Sequence, residues 1–406
     1  MNAFGRTLQA LLDRGVAIRC PWSVDVDPSV RPERIAANTV IHAGCRLRGA
    51  ATLIAPGCVL GEEGPVTLDN CQLGENVALK GGFFSGATFL DGAAVGSCAH
   101  VRPGTLLEEQ ACCGHAVGLK QTILLPFTVL GSLINFCDCL LAGGTDRRNH
   151  SEVGSAFVHF NYTPHRDKAT PSLFGDVPRG VMLDQRPIFL GGQGGAVGPL
   201  RVEFGTVVAA GTVLRRDALQ PDTLVFGQFS RPAGAPPYTP GLYGDIRRLL
   251  LNNFAYLGNL HALYAWYREV RAQFVGRSDW REALLEGALA RLQEQVRERL
   301  ARLAELAERL RDSCAAAQRR GAAAAQPPYA RQKAFADRWP ELAPRLELRA
   351  AAPGAAADRD RLLAELARRR SDDYLQAIRD LSPAARQAGT AWLQSIVEPI
   401  QRLAEE

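Results

Sequence analysis

Apolar residues recur along this chain with a period of six. Phe89, Val95, Val101, Leu107, Cys113 and Leu119 stand at successive sixth positions, and Gly92, Gly96, Gly104 and Gly114 fall between them. The same spacing runs earlier through Ile41, Leu47, Leu53 and Val59, and later through Leu190, Ala196, Val202, Val208 and Leu214. Six is neither the 3.6-residue period of a helix nor the alternation of a strand. It predicts a left-handed parallel β-helix of hexapeptide repeats, in which each short strand spans one face and one apolar side chain plugs the interior. The glycines then fall near the corners, where the chain turns tightly and a Cβ is penalised.

The flanks read differently. Residues 1–39 predict an N-terminal cap helix, with Phe4, Leu8, Leu11 and Leu12 on one face, and a Pro- and Asp-containing connector. A cap is expected because an end coil otherwise exposes its apolar interior. The β-helix itself is expected over 40–230, with a slip of phase at 61–66 and an irregular insertion at about 141–188, where no hexad fits cleanly. Insertions of this kind project as loops, often on the binding face. A Pro-rich connector (231–241) leads into a helical region (242–314) that opens with Phe254, Tyr256, Trp266 and Tyr267, placed to pack against the coil. Its second half spaces Leu292, Val296, Leu300, Leu303, Leu306 and Leu310 three or four apart, a coiled-coil-like seam. An Ala-rich linker is expected over 315–328 and further helices over 329–406, interrupted at Pro353–Gly354 and near Pro383. These C-terminal helices offer a surface for a protein partner.

Composition narrows the classes. The 406 residues are 47% hydrophobic and 22% charged with a net charge of +5, ordinary for a globular protein and no signature of nucleic-acid binding. No run of about 18 apolar residues appears, so no membrane span is expected. The first residues mix acidic and basic side chains without a small-residue cleavage site, which argues for the cytoplasm. Ten cysteines contain no CxxC pair, so they read as reduced thiols filling the coil interior rather than as ligands or a disulfide framework.

Polar groups that interrupt the coil faces are the candidates for chemistry. β-Helices of this kind commonly associate as trimers and bind ligands in the clefts between neighbours. Arg102, just before a corner, has the fork that grips phosphate, and Lys120 follows a core plug and suits a phosphate or sugar hydroxyl. Asn161, Tyr162, His165, Arg166, Asp167 and Lys168 put amide, phenol and cationic donors within one short stretch. Around Gly192 and Ala210 small residues would let the pantetheine arm of a coenzyme A lie flat, with Arg231 meeting its phosphates.

Seven pieces, in order, carry a family likeness: RPGT (102–105), Lys120, GSLINFCD (131–138), FNY (160–162), Lys168, GTVVAAGTVLRRD (205–217) and SRP (230–232). Together they resemble the C-terminal acetyltransferase domain of the bacterial bifunctional UDP-N-acetylglucosamine pyrophosphorylase and glucosamine-1-phosphate acetyltransferase. The likeness spans roughly a third of the chain. It implies a homotrimer, a sugar phosphate or nucleotide sugar held by Arg102, Lys120, Asn161, Tyr162 and Lys168, and acetyl-CoA or another acyl-CoA held by Ala210 and Arg231. Asn135 and Gly192 are further candidates for holding the sugar and the CoA. The nucleotidyl-transfer domain of that family has no counterpart in the stretch before the coil.

Two positions depart from the pattern. Ser132 stands where the family places its catalytic histidine, and Asn135 where it has a tyrosine. Serine cannot take a proton from an amine near neutral pH unaided. His150, His159 and His165 are substitute bases by pKa, and four of the seven histidines fall between His115 and His165. Two readings from different classes follow: an acyltransferase whose base is one of these histidines, or a non-catalytic nucleotide-sugar sensor or scaffold. A zinc enzyme would need three histidines at even coil spacing, which His150, His159 and His165 do not have, so no metal is expected.

Overall fold

A computed structural model describes residues 5–227, 238–276, 278–321, 326–348, 355–369 and 371–405. Its first half is a parallel β-solenoid of about eleven turns with three faces. The first face stacks pairs of residues such as Ala94–Val95, Cys112–Cys113, Val129–Leu130, Glu152–Val153 and Phe189–Leu190. The second carries Gly82–Ser85, Ala99–Val101, the start of Gly118–Leu124, the start of Asn135–Leu141, then Val158–Phe160 and Gly195–Val197. The third carries Ala87–Phe89, Thr105–Leu107, the ends of the two long strands, Ser172–Phe174 and Arg201–Val202. The long strands bend between the second and third faces at Gln121 and Asp138, both in the left-handed region.

The six-residue spacing has a simple origin. Each face contributes one inward side chain, so Phe89, Val95, Val101, Leu107, Cys113 and Leu119 are all buried along one axis. Coil stacks on coil in register, Val95 beside Cys113 and Cys113 beside Leu130. Adjacent rungs therefore lie about 4.8 Å apart. Cys45, Cys58, Cys71, Cys137 and Cys139 are buried free thiols, while Cys98 is exposed.

The stretch 141–188 departs from expectation. Its true excursions are a hairpin (Gly144–Asp146 with Asn149–His150), a loop over 161–171 and the segment 175–187 with its short helix Val177–Gly180. Between them Glu152–Val153, Val158–Phe160 and Ser172–Phe174 pair in register with the coils on either side. Each excursion resets the count of six, so the hexads vanish from the sequence while the coil persists.

Eight helices are described: α1 (Arg6–Asp13), α2 (Val177–Gly180), α3 (Arg247–Glu269), α4 (Asp279–Arg319), α5 (Pro327–Leu342), α6 (Ala356–Arg369), α7 (Tyr374–Arg379) and α8 (Pro383–Arg402). Leu8 and Leu11 of α1 are buried at the N-terminal coil. The C-terminal helices fold back along the third face, where α4 crosses Gln72–Leu73, Ala87–Phe89 and Thr105–Leu107. A Cβ on Gly287 would lie 2.6 Å from Gln72 Oε1, so any larger residue there would have to displace the Gln72 side chain. The Leu292, Val296, Leu303, Leu306 and Leu310 seam is buried within this one chain, where α4 packs on the solenoid, α3 and α5. Helix α4 runs on to Arg319, through the Ala-rich stretch anticipated as the start of a linker, because alanine favours continued helix. Among the described residues no helix is long and apolar enough to cross a membrane.

Buried charge fastens the two halves. Arg271 pairs with Glu108 and Glu109, each at 2.7 Å, and its guanidinium lies 3.9 Å over the Tyr374 ring. Tyr267 donates to Glu108 at 2.7 Å. Burial holds the Glu108 carboxyl above its usual range, and Arg271 opposes that shift.

Candidate functional site

The corner between the first and second faces is built on stacked glycines. A Cβ on Gly114 would lie 2.5 Å from Ser132 Oγ, and one on Gly131 would lie 2.9 Å from Ser155 N. Glycine there lets the next residue of each coil stand directly over its counterpart. The column so formed runs Ser97, His115, Ser132, Ser155, Gly192 and Ala210, by the pairings of the adjoining strands. The residues that follow, Cys98, Ala116, Leu133, Ala156 and Gln193, all turn through positive φ.

Within this column Ser132 Oγ lies 2.8 Å from His115 Nδ1. Ser132 N–H donates to Ser155 Oγ at 3.2 Å. Two coils before His115, Lys80 Nζ meets the carboxylate of Glu63 from the preceding coil at 2.8 Å, and this hydrogen bond, with another from Ser97, holds Glu63 below the usual range. Gly192 and Ala210 extend the column as a smooth, small-residue surface. Arg231, the anticipated phosphate partner of CoA, lies outside the described residues.

The corner between the second and third faces is different. Arg102 is exposed, its Nη2 3.4 Å from Cys137 Sγ, and it stands one rung from Lys120. Lys120 Nζ is 3.7 Å from Glu298 of α4. Asp138 is buried at the bend, where Oδ1 accepts from Arg299 Nη2 at 2.6 Å and Oδ2 from Asn161 Nδ2 at 2.6 Å. Arg299, only 2% exposed, also donates to the Lys168 carbonyl at 3.1 Å. The structure thus gathers Arg102, Lys120, Asn161 and Lys168 at one corner and brings α4 across it. Tyr162 is exposed on the adjoining loop, and Asn135 is exposed on the second face.

The three anticipated histidines are in three separate places, none of them beside Ser132. His159 is an interior plug, the neighbour of Ala196 in the next coil. Its Nδ1 bonds the Cys137 carbonyl at 2.8 Å and its Nε2 the Ser172 hydroxyl at 2.7 Å. Burial pushes it down to about 4. With both nitrogens engaged and no access, it cannot serve as a base. His165 stacks between Tyr238 and Tyr243 and accepts from the Gly241 N–H at 3.2 Å; burial lowers its pKa. His150 ends the hairpin at the corner between the third and first faces.

His115 was the histidine that motif reading passed over. Its signal was present: it follows Gly114 as Ser132 follows Gly131, one coil apart. Counting in sixes hides that relation, and counting in coils displays it. Glu298 and Arg299 had no local signal, since they arrive from a helix far along the chain. Among the described residues no group of three or more His, Cys, Asp or Glu side chains is placed to hold a metal ion.

No family model matches the chain. Curated relatives do. The bifunctional protein GlmU of Trichlorobacter lovleyi is 29% identical over 222 residues, 54% of this chain and 43% of that protein. GlmU of Thermotoga petrophila is 26% identical over 238 residues, covering 58% and 44%. GlmU of Mycobacterium bovis is 29% identical over 203 residues, covering 50% and 36%. The chain therefore spans less than half the length of the curated relatives it matches. These relatives and the parallel β-solenoid agree with the likeness carried by the motifs.

Proposed function

We propose that this protein is a hexapeptide-repeat acyltransferase. It binds a sugar phosphate or UDP-sugar beside the second face and transfers an acyl group from CoA to an amine or hydroxyl of that ligand. The observation that carries this reading is the pair of cations on adjacent rungs, Arg102 and Lys120, with Asn161 and Lys168 at the same corner. Two cationic side chains rising from rungs about 4.8 Å apart suit one phosphate or diphosphate. The small-residue surface at Gly192 and Ala210 supports acyl-CoA as donor. Its pantetheine arm would run along the column and bring the thioester toward Ser132 and His115.

The reading includes a homotrimer whose clefts complete the site. Outward residues of the first face support it: Val40, Val59, Ala78, Ala94 and Val129 form a half-exposed apolar stripe, and Phe189 and Val207 are 39% and 40% exposed. Free thiols throughout agree with a reducing compartment such as the cytoplasm. Calorimetric titration with UDP-N-acetylglucosamine and, separately, with CoA tests the proposal. Binding of both, followed by thiol release with acyl-CoA, is the expected result, and failure of CoA to bind would overturn it.

One observation favours a second reading, a nucleotide-sugar sensor or scaffold without turnover. Lys120, the anticipated phosphate ligand, already has Glu298 as a partner. Binding of the nucleotide sugar with no CoA-dependent turnover across acceptors would select that reading.

A further inference from the structure

We infer that the general base of the transfer is His115, acting through Nε2, and that Ser132 is its positioning residue. This rests on the acyltransferase reading and names the residue that reading needs. The position that carries the family's histidine holds serine, but the column above and below it is continuous. His115 occupies the equivalent place one rung toward the N-terminus and reaches back to Ser132 at 2.8 Å. The base has moved by one coil, about 4.8 Å along the solenoid.

The contact gives the ring a partner at Nδ1. Which imidazole nitrogen holds the proton is set by the partner of the other. In the tautomer that serves as base, Nδ1–H donates to Ser132 Oγ, which leaves the lone pair on Nε2. His115 is exposed, and among the described residues its Nε2 has no hydrogen-bond partner. Ser132 is itself held by the bond from its N–H to Ser155 Oγ. The charged groups near this corner are the Glu63 carboxylate, which interacts with His115, and Lys80, which pairs with Glu63. Lys120 lies on the same coil as His115, so the phosphate anchor and the base share one rung.

In the step, the nucleophilic nitrogen or oxygen of the acceptor attacks the thioester carbonyl. The new C–N or C–O bond forms and the C–S bond breaks. The acceptor's proton passes to His115 Nε2 and from there to the departing CoA thiolate. No other reactant is needed.

Steady-state kinetics on the full-length protein, with acyl-CoA and whichever acceptor supports thiol release, test the assignment. His115→Ala should lower kcat by roughly a hundredfold or more, with KM for both substrates little changed. Ser132→Ala should lower kcat by roughly tenfold, the worth of one hydrogen bond, and Ser132→Thr should recover it. The double exchange His115→Ser with Ser132→His, which returns the ring to the other rung, should recover more than either single change. Both residues are at the surface, so unchanged thermal unfolding separates chemistry from folding. Wild-type turnover with His115→Ala within about threefold of it would overturn the base and leave the acyltransferase reading standing. A wild-type protein that neither binds acyl-CoA nor releases thiol would overturn that reading, and the base with it.

Discussion

The two corners flanking the second face are made from the same repeat and have opposite fates. At the first, Ser97, His115, Ser132 and Ser155 stand in a column whose side-chain hydrogen bonds, among the described residues, run from coil to coil. At the second, Asp138 and Asn161 are joined by Arg299 from α4, with His159 bonded beneath them to Cys137 and Ser172. The solenoid sets where polar groups stand, rung by rung. The helical half decides which of them remain available to a ligand. Chemistry is therefore expected at the bare corner and anchoring at the covered one.

The largest effect should come from unclamping the covered corner. Arg299→Ala would leave Asp138 buried with its charge uncompensated, a loss of about 3–5 kcal/mol. Replacing both, Asp138→Leu with Arg299→Met, should cost far less, because no lone charge remains. Denaturant unfolding reads both. If Arg299→Ala costs under about 1 kcal/mol, the pair is solvated and the contrast between the corners fails.

The buried histidine gives that corner a pH signature. Its folded pKa of about 4 lies below the ordinary value of 6.5. The unfolded chain therefore binds the proton first as pH falls. His159 contributes stability that is fully present above about pH 6.5 and is lost as pH falls toward 4. The loss should be on the order of 2–3 kcal/mol. In His159→Gln this slope should disappear between pH 6.5 and 4, whatever the variant's stability at neutral pH. A slope that persists in the variant would assign the acid sensitivity to other groups.

Anchoring is sharpened by Arg102. Arg102→Ala should weaken UDP-sugar binding by roughly ten- to a hundredfold, the worth of a charged hydrogen bond, while CoA binding stays unchanged. Arg102→Lys should recover only part of it, because an ammonium has no planar fork. Equal losses for both ligands would mean that the arginine supports the coil rather than the phosphate.

How much of this was legible in the sequence follows from how far each residue's partners lie along the chain. The inward plugs from Phe89 to Leu119 announce the fold because their neighbours are one hexad or one coil away. Arg102 and Lys120 could be matched to a known pattern because the repeat fixes their places, and Asn161 because it directly follows the strand Val158–Phe160. The coil through 152–174 was hidden by the three excursions that break the count. His115 needed the coil length rather than the hexad. Glu298 and Arg299 could not be found at all: on a 41-residue helix rich in arginine and glutamate, nothing local distinguishes a residue aimed at Asp138 from one aimed at water.

Glu298 supplies the smallest effect and the finest test of the comparison. Its carboxylate, 3.7 Å from Lys120 Nζ and partly exposed, also accepts from Arg302 Nε at 3.0 Å. A ligand phosphate at Lys120 must compete with it. Glu298→Gln keeps the shape and removes the charge, so affinity for a phosphate-bearing ligand should rise by about 0.2–1 kcal/mol, a few-fold at most. The gain should shrink with added salt, since screening weakens the Lys120–Glu298 attraction that the phosphate displaces. Calorimetry at low and high ionic strength reads both. Unchanged affinity would place the phosphate away from Lys120, and a loss would make Glu298 a ligand contact rather than a competitor. In either case the helical half would not be competing with the phosphate for Lys120.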